Sequence, residues 1–345
     1  MGGVTRWVLH VDLDQFLAAV EILRHPEYTG LPVVVGGDGD PTKRGVVSTA
    51  SYEARARGVG SGTPMRTAAK RIPEAVFLPL DREHYEAVSA EVMAALRTVT
   101  EQVEVLGWDE AFVGVDDPPG DEPEAVAREV QARVLGATRL HCSVGIGRNR
   151  LQAKIATSYG KPAGVFRLTG ATWFDVLGDL PTDALWGVGA KTALKLTDLG
   201  LTTVRALAEA DVDALAARFG PATGPWLQRL AAGRDSAAVS STPYVRRSLG
   251  REVTYQQDLA DWADVRREVS ALAQRVAGEV ADEGRDALRV VVKVRYAPFF
   301  TATHGRTLPE PTTDATAVEA AALEALDRFE QRPVRLLGVR AELVR

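Results

Sequence analysis

Three acids stand where they could share metal ions. His10-Val11-Asp12-Leu13 ends an apolar run on an acid, and Leu106-Gly107-Trp108-Asp109-Glu110-Ala111 sets two adjacent acids between two apolar runs. An acid at a strand end is commonly a cap or a solvated charge, so neither motif alone defines chemistry. Convergent carboxylates on rigid elements are, however, what phosphoryl transfer with two divalent ions needs, with the ions ~3.5–4 Å apart. In such a site one ion lowers the pKa of the attacking hydroxyl, and the other carries the triphosphate and the leaving oxygens. Thr49, Tyr52 and Arg55 offer a hydroxyl, a phenol and a guanidinium at i, i+3 and i+6, a helical face able to hold phosphate oxygens. Lys161 adds a cation in the turn Tyr159-Gly160-Lys161-Pro162. Taken alone, the first is the start of a surface helix and the second a solvated charge.

The elements that must position these groups can be read from periodicity. Trp7–Val11 is a buried strand, followed by a helix over 15–23. A second strand covers Leu31–Val35, and Gly36-Gly37-Asp38-Gly39-Asp40-Pro41 is a loop. A strand over 45–49 leads into a helix from Tyr52, and a long helix spans 82–99. Residues 103–106 and 111–115 read as paired strands, 122–135 as a helix and 140–146 as a strand. Residues 169–235 are mostly helical, and 237–243 have linker composition. Beyond the linker the order is strand, long helix (262–282), two strands, helix, strand. In the strand 288–296, Leu288, Val290, Val292 and Val294 alternate with Arg289, Lys293 and Arg295, giving one face for helices and one of cations. Pro181-Thr182-Asp183-Ala184-Leu185-Trp186-Gly187-Val188-Gly189-Ala190-Lys191 reads as helix, glycine-rich hairpin, helix. Its glycines let backbone approach a phosphate, and its second helix offers free N–H groups.

Bulk properties exclude several classes. A chain of 345 residues suits two to four domains, and 46% apolar with 25% charged residues describes a folded protein. No apolar run approaches the roughly 20 residues of a membrane span, and Met1–Arg6 lacks the features of a secretory signal. A single cysteine, Cys142, rules out an internal disulfide and fits a reducing cytoplasm. Its apolar surroundings read as those of a buried structural thiol. The net charge of −5 opposes simple coating of nucleic acid, but the segment from about 244 is rich in Arg while the acidic excess lies earlier.

Together these residues closely resemble the Y-family DNA polymerases, in their DinB (DNA polymerase IV) branch. The resemblance covers nearly the whole chain in order. Its most specific parts are the Asp12 block, the Gly45–Arg55 block with Gly62-Thr63-Pro64-Met65, the Asp109-Glu110 pair, and Ser143-Val144-Gly145-Ile146-Gly147 leading to Lys154 and Lys161. It implies a multidomain α+β right hand: palm (1–17 and 80–168), fingers (18–79), helix-hairpin-helix thumb (169–236), linker (237–244) and a βαββαβ little finger (245–345). It implies that Asp12 and Asp109 bridge two Mg²⁺ ions, Mn²⁺ being the alternative, with Glu110 on the primer-side ion and the Leu13 carbonyl on the nucleotide-side ion. Phe16 and Leu17 would bring backbone amides to the nucleotide. Thr49, Tyr52, Arg55 and Lys161 would bind β- and γ-phosphates, and Ser48 and Gly62 would roof the nascent pair. Gly187, Gly189 and Lys191 would clamp the DNA backbone across the minor groove. Arg246, Arg247, Arg251, Arg289, Lys293 and Arg295 would follow phosphates in the major groove. Asp14 would stand behind the site rather than on a metal. The implied function is low-fidelity, distributive translesion synthesis on primer-template DNA from dNTPs, by a cytoplasmic, nucleoid-associated monomer. A sliding-clamp partner is left open, since no apolar-aromatic peptide precedes Arg345.

Two departures from the family pattern stand out. Gly107 replaces the usual Ser before the residue preceding the acid pair. Leu17 replaces the Phe or Tyr whose ring, in the family, excludes a 2′-hydroxyl, so rNTPs are expected as substrates alongside dNTPs. An alternative gate is the neighbouring Phe16. Two rival readings are a palm-fold nucleotidyl cyclase, suggested by Gly36-Gly37-Asp38-Gly39-Asp40 but lacking its continuation, and a catalytically silent DNA-binding homologue, which the intact acids oppose. The five histidines are scattered and form no zinc pattern.

Overall fold

The computed structural model describes residues 7–116 and 122–344. The segment 1–6, whose lack of a secretory signal was an expectation of the sequence, lies outside the described residues, as do 117–121 and Arg345. The chain forms two compact units: Met1–Val35, Thr49–Gly60 and Leu78–Pro243 make one, and Gly36–Ser48, Ser61–Phe77 and Tyr244–Arg345 make the other.

The first unit is built on a five-stranded sheet in the order β5-β6-β1-β7-β8. These are β1 (Trp7–Leu13), β5 (Val103–Val105), β6 (Glu110–Val115), β7 (Cys142–Gly147) and β8 (Val165–Arg167). The central strand β1 is buried along nearly its whole length, which is why it reads as a continuous apolar run. It pairs antiparallel with β6 and β7, while β7 and β8 are parallel. Helix α4 (Arg82–Arg97) packs on α5 (Pro123–Thr138). Helix α6 (Arg150–Gly160) lies directly on β7. Glycine makes this approach possible: a Cβ on Gly145 would stand 2.1 Å from the Ala153 carbonyl oxygen, and one on Gly147 2.6 Å from Ala153 N.

Helix α1 (Phe16–Arg24) leaves β1 through Gln15, whose left-handed backbone (φ 45°) turns the chain. Strand β2 (Val33–Val35) pairs with β3 (Thr49–Ala50), and α2 (Tyr52–Ala56) is capped by Ser51. A helical region follows the sheet, with α7 (Trp173–Leu177), α8 (Ala190–Thr197), α9 (Val204–Ala208), α10 (Val212–Phe219) and α11 (Thr223–Ala231). Its core of Trp173, Leu177, Leu196, Leu207 and Leu227 continues into Leu151 and Ile155 of α6. Asn149 Nδ2 and Gln152 Nε2 both donate to the Gly233 carbonyl, at 2.9 and 3.0 Å, tying the end of this region to the sheet. The linker is anchored as well. Val239 packs against Val8, Phe112 and Ala153, and Ser240 N–H donates to Glu104 at 2.9 Å.

The second unit contains α3 (Met65–Arg71) and, from Tyr244 onward, a four-stranded antiparallel sheet in the order β11-β10-β12-β9. Strand β4 (Val76–Leu78) leads the chain back to the first unit. The elements are β9 (Ser248–Leu259), α12 (Trp262–Glu283), β10 (Ala287–Tyr296), β11 (Thr301–Thr312), α13 (Ala315–Leu326) and β12 (Val334–Leu343), the expected βαββαβ order. Helix α12 turns Val265, Val269, Leu272, Val276 and Val280, one helical stripe, onto Val290, Val292, Val294 and Val339 of the sheet. Arg44 ties the Gly36–Ser48 segment to β9. Its N–H donates to Gln256 Oε1 (2.6 Å), its carbonyl accepts from Gln256 Nε2 (3.1 Å), and its guanidinium reaches the Tyr255 carbonyl (3.0 Å).

Three local expectations are corrected. The strand over 45–49 reduces to Thr49–Ala50 and an isolated bridge between Val46 and Pro64, because Val47 exchanges its backbone hydrogen bonds with Thr63 and Gly62 in a loop. The first helix of the glycine hairpin is a single 3-10 turn, Thr182–Ala184. Leu288 does not share the buried face of Val290, Val292 and Val294. A register shift between Ala287 and Arg289 leaves Leu288 exposed and puts Ala287 in the core.

Candidate active site

Strand register brings the acids together. Asp12 is the direct partner of Glu110 across the β1–β6 ladder, so the two side chains share one face at neighbour distance. Asp109 stands in the turn just before β6, and its carbonyl accepts the Leu13 N–H at 2.8 Å, holding that turn to the end of β1. Donor atoms of His10, Asp12 and Glu110 lie within 4.8 Å of one another. The Asp109 carboxylate turns toward Gly107, where an added Cβ would meet its Oδ1 at 3.5 Å. That is ordinary contact, so space alone does not demand glycine at 107.

The electrostatics follow from crowding. Burial, then the charges of Asp12 and Glu110, push the Asp109 carboxyl above the usual carboxylate range. Glu110 is held down to about 2, first by its hydrogen bond with His10 and then by Lys154. Lys154 pairs with Glu110, and Lys161 with Asp12. His10 is 1% exposed; its Nε2 lies 3.2 Å from both Glu110 Oε2 and Lys154 Nζ, and its Nδ1 lies 2.8 Å from Thr157 Oγ1. Burial lowers its pKa, and its hydrogen bond with Glu110 opposes that shift.

Asp14 is a buried hub. Its Oδ1 accepts from Tyr52 Oη (2.8 Å) and Ser143 Oγ (2.9 Å), and its Oδ2 accepts from Ala163 N–H (2.7 Å). The carboxylate thereby joins α2, β7 and the turn after Lys161 to the end of β1. Gln15 adds a further tie, accepting the Tyr52 N–H at 2.6 Å. Arg55 is exposed, with its Nε on the Ala50 carbonyl (2.9 Å) and its guanidinium 5.4 Å from the Tyr52 ring. Cys142 is buried, and burial pushes its thiol up to about 12, so it stays protonated.

The sequence-predicted residues thus divide. Asp12, Glu110 and Lys161 meet, with Leu13 and Asp109 at the adjoining backbone. Thr49, Tyr52 and Arg55 line up along β3 and α2. Tyr52 gives its only hydroxyl proton to Asp14, and Lys161 points its ammonium at Asp12. The Phe16 ring is buried edge-on against Tyr85, and Leu17 is buried at 6% exposure. Ser48 and exposed Gly62 (φ 81°) belong to the second unit. Gly187 is left-handed (φ 101°), and Gly189 caps α8 with open space where a Cβ would stand; Lys191 is exposed on the first turn. In the C-terminal sheet, Arg251 pairs with Glu279, Arg289 with Glu342 and Lys293 with Glu252, and Arg295 donates to Thr301. The carbonyls of Arg246 and Arg247 accept from Arg285 and Leu343.

His10 and Gln15 escaped the sequence reading, and Lys154 was named there without a role. Lys154 and Thr157, three apart on α6, occupy one helical face, which was the available signal. All-oxygen carboxylate donors suit a hard divalent ion. The donor set therefore fits a divalent metal ion.

Comparison with known proteins supplies the family. Residues 11–158 match the impB/mucB/samB family, and residues 246–344 match the C-terminal domain of that family. The chain is 52% identical over 340 residues to DNA polymerase IV 2 of Mycobacterium tuberculosis, covering 98% of each chain. It is 39% identical to DNA polymerase IV of Methanoculleus marisnigri over 99% of this chain and 95% of that one. Among solved structures, the Y-family DNA polymerase chimera Dbh-Dpo4(243-245)-Dbh superposes with a TM-score of 0.86 at 27% identity, covering 97% of this chain and 98% of that one. The chain belongs to the DinB branch of the Y-family DNA polymerases, and it is a DNA-directed DNA polymerase of the translesion type. Polymerases of this family use divalent metal ions for catalysis. Membership removes the cyclase reading. Among the described residues no helix is long and apolar enough to cross a membrane.

Proposed function

We propose that this polymerase extends a primer on template DNA through two Mg²⁺ ions, or Mn²⁺ in their place, and that it accepts rNTPs as well as dNTPs. The observation that carries the catalytic reading is the cross-strand pairing of Asp12 with Glu110, with Asp109 at the adjoining turn. Bound there, the metals would supply charge for the triphosphate and acidity for the primer hydroxyl. Asp12 and Asp109 would hold both ions, Glu110 the primer-side ion and the Leu13 carbonyl the nucleotide-side ion.

His10 and Thr157 hold Glu110 in place, and Asp14 holds the Tyr52 phenol and the Lys161 turn. Thr49, Tyr52, Arg55 and Lys161 would take the β- and γ-phosphates, and Ser48 and Gly62 would roof the new pair. Gly187, Gly189 and Lys191 would take one stretch of DNA backbone, and the cations of the C-terminal sheet another. The division into palm (1–17, 80–168), fingers (18–79), thumb (169–236), linker (237–244) and little finger (245–345) is proposed with these roles, as is a monomer.

Ribose acceptance rests on Leu17. The Phe16 ring is committed to Tyr85, which leaves the side chain at 17 as the sugar-facing candidate. An apolar pocket without a clash rejects an added hydroxyl by only about 100-fold. Primer extension with dNTPs and rNTPs, in Mg²⁺ and in Mn²⁺, tests this. Wild-type kcat/KM for the two sugars is expected to differ by no more than about 100-fold, and Leu17→Phe should widen the gap by lowering rNTP use alone. Strong rejection of rNTPs by the wild type contradicts it.

A further inference from the structure

We propose that the tip of the β10–β11 hairpin is a stacking surface for single-stranded nucleic acid. The tip carries Phe299 and Phe300 side by side, 63% and 60% exposed. Hairpin tips ordinarily take glycine, asparagine or aspartate for their backbone geometry. Two phenyl rings more than half exposed do not serve that geometry, and only Phe300 touches the core, through Tyr296.

Arginines frame the rings. The Arg335 guanidinium lies 4.7 Å and that of Arg295 5.7 Å from the centre of the Phe299 ring. Arg332 lies 4.9 Å from the Tyr296 ring and 6.0 Å from Phe300, and Tyr296 and Phe300 stack at 6.1 Å with planes 14° apart. The acid against this group is Glu330, 3.7 Å from Arg332 and 81% exposed. Elsewhere on the sheet Arg251, Arg289 and Lys293 each face a glutamate.

Flat apolar faces bordered by cations call for a polyanion that has flat faces of its own. A duplex keeps its base faces inside the stack, whereas a single strand offers unstacked bases to the rings and phosphates to the guanidiniums. An apolar peptide would match the rings but offer no anion to Arg295 and Arg335, which face the Phe299 ring and pair with no acid among the described residues. Template ahead of the primer end is such a strand, and only this choice of source rests on the polymerase reading.

The test is fluorescence anisotropy of the full chain with a short labelled oligothymidylate and with a blunt duplex. Phe299→Ala with Phe300→Ala should weaken single-strand binding by about tenfold or more through lost base stacking. Duplex binding should hold, and the salt dependence should stay the same because the arginines remain. Tryptophan at both positions should keep wild-type affinity, and thermal melting should be unchanged, since both rings are exposed. Unchanged single-strand affinity in the alanine variant would overturn the proposal and assign the patch to a protein partner. An equal fall for duplex would also overturn it. Primer extension by the same preparations reports separately on the polymerase reading.

Discussion

Asp14 shows how a residue can matter without touching the reacting atoms. It accepts donors from three different elements, and removing it takes the acceptor away from the buried Ser143 hydroxyl and unties the Ala163 N–H. A buried orphan such as Ser143 costs about 1–3 kcal/mol. Because the Tyr52 phenol and the turn carrying Lys161 are both proposed at the triphosphate, Asp14→Asn should raise KM for the incoming nucleotide by about tenfold, the equivalent of one lost hydrogen bond to a charged group. Its kcat should fall less. Steady-state kinetics on a single templated insertion would check this, and a fall confined to kcat would contradict it. The acids themselves were legible in sequence, because strand ends and neighbouring acids leave a pattern. The hub was not: a carboxylate two residues from Asp12 looks the same whether it faces solvent or is held by Tyr52, Ser143 and Ala163, partners 38, 129 and 149 residues away.

Helix α6 owes its place to glycine at the element scale. With Gly145 and Gly147 beneath it, the helix comes close enough for Thr157 and Lys154 to reach His10 and Glu110. Gly145→Ala forces a methyl group into the backbone of α6. It should cost about 1–3 kcal/mol or more by overpacking, read as a lower melting midpoint, with activity lost alongside as α6 moves away from Glu110. Wild-type stability in that variant would refute this packing account. The long helices and the βαββαβ order followed from periodicity. The strand expected over 45–49 did not form, because its partner is the neighbouring loop at 62–63, a tertiary choice that alternation does not encode. The linker likewise reads as flexible by composition, yet Val239 finds a buried seat on Val8, Phe112 and Ala153.

On the scale of the whole molecule, charge is distributed by function. Acids collect at the palm-type sheet, and the cations of the C-terminal sheet are restrained by Glu252, Glu279 and Glu342. Exposed pairs of this kind contribute only about 0–1 kcal/mol each to stability, so under the proposed DNA-binding role their larger effect would be on DNA. Glu252→Gln with Glu342→Gln should free Lys293 and Arg289, strengthen binding for all DNA sequences and steepen the salt dependence by about one unit per cation freed. Titrations of duplex binding against salt would show it, and an unchanged slope would mean that these cations do not reach phosphate. All of this presupposes that the paired strands β1 and β6 deliver metal-dependent, template-directed synthesis. The most direct measurement is single-turnover primer extension by Asp109→Asn beside the wild type, with DNA affinity and melting measured on the same samples. The expected result is a loss of at least about 10³-fold in rate with DNA affinity and folding retained. Extension at near wild-type rate would contradict the assignment of the site.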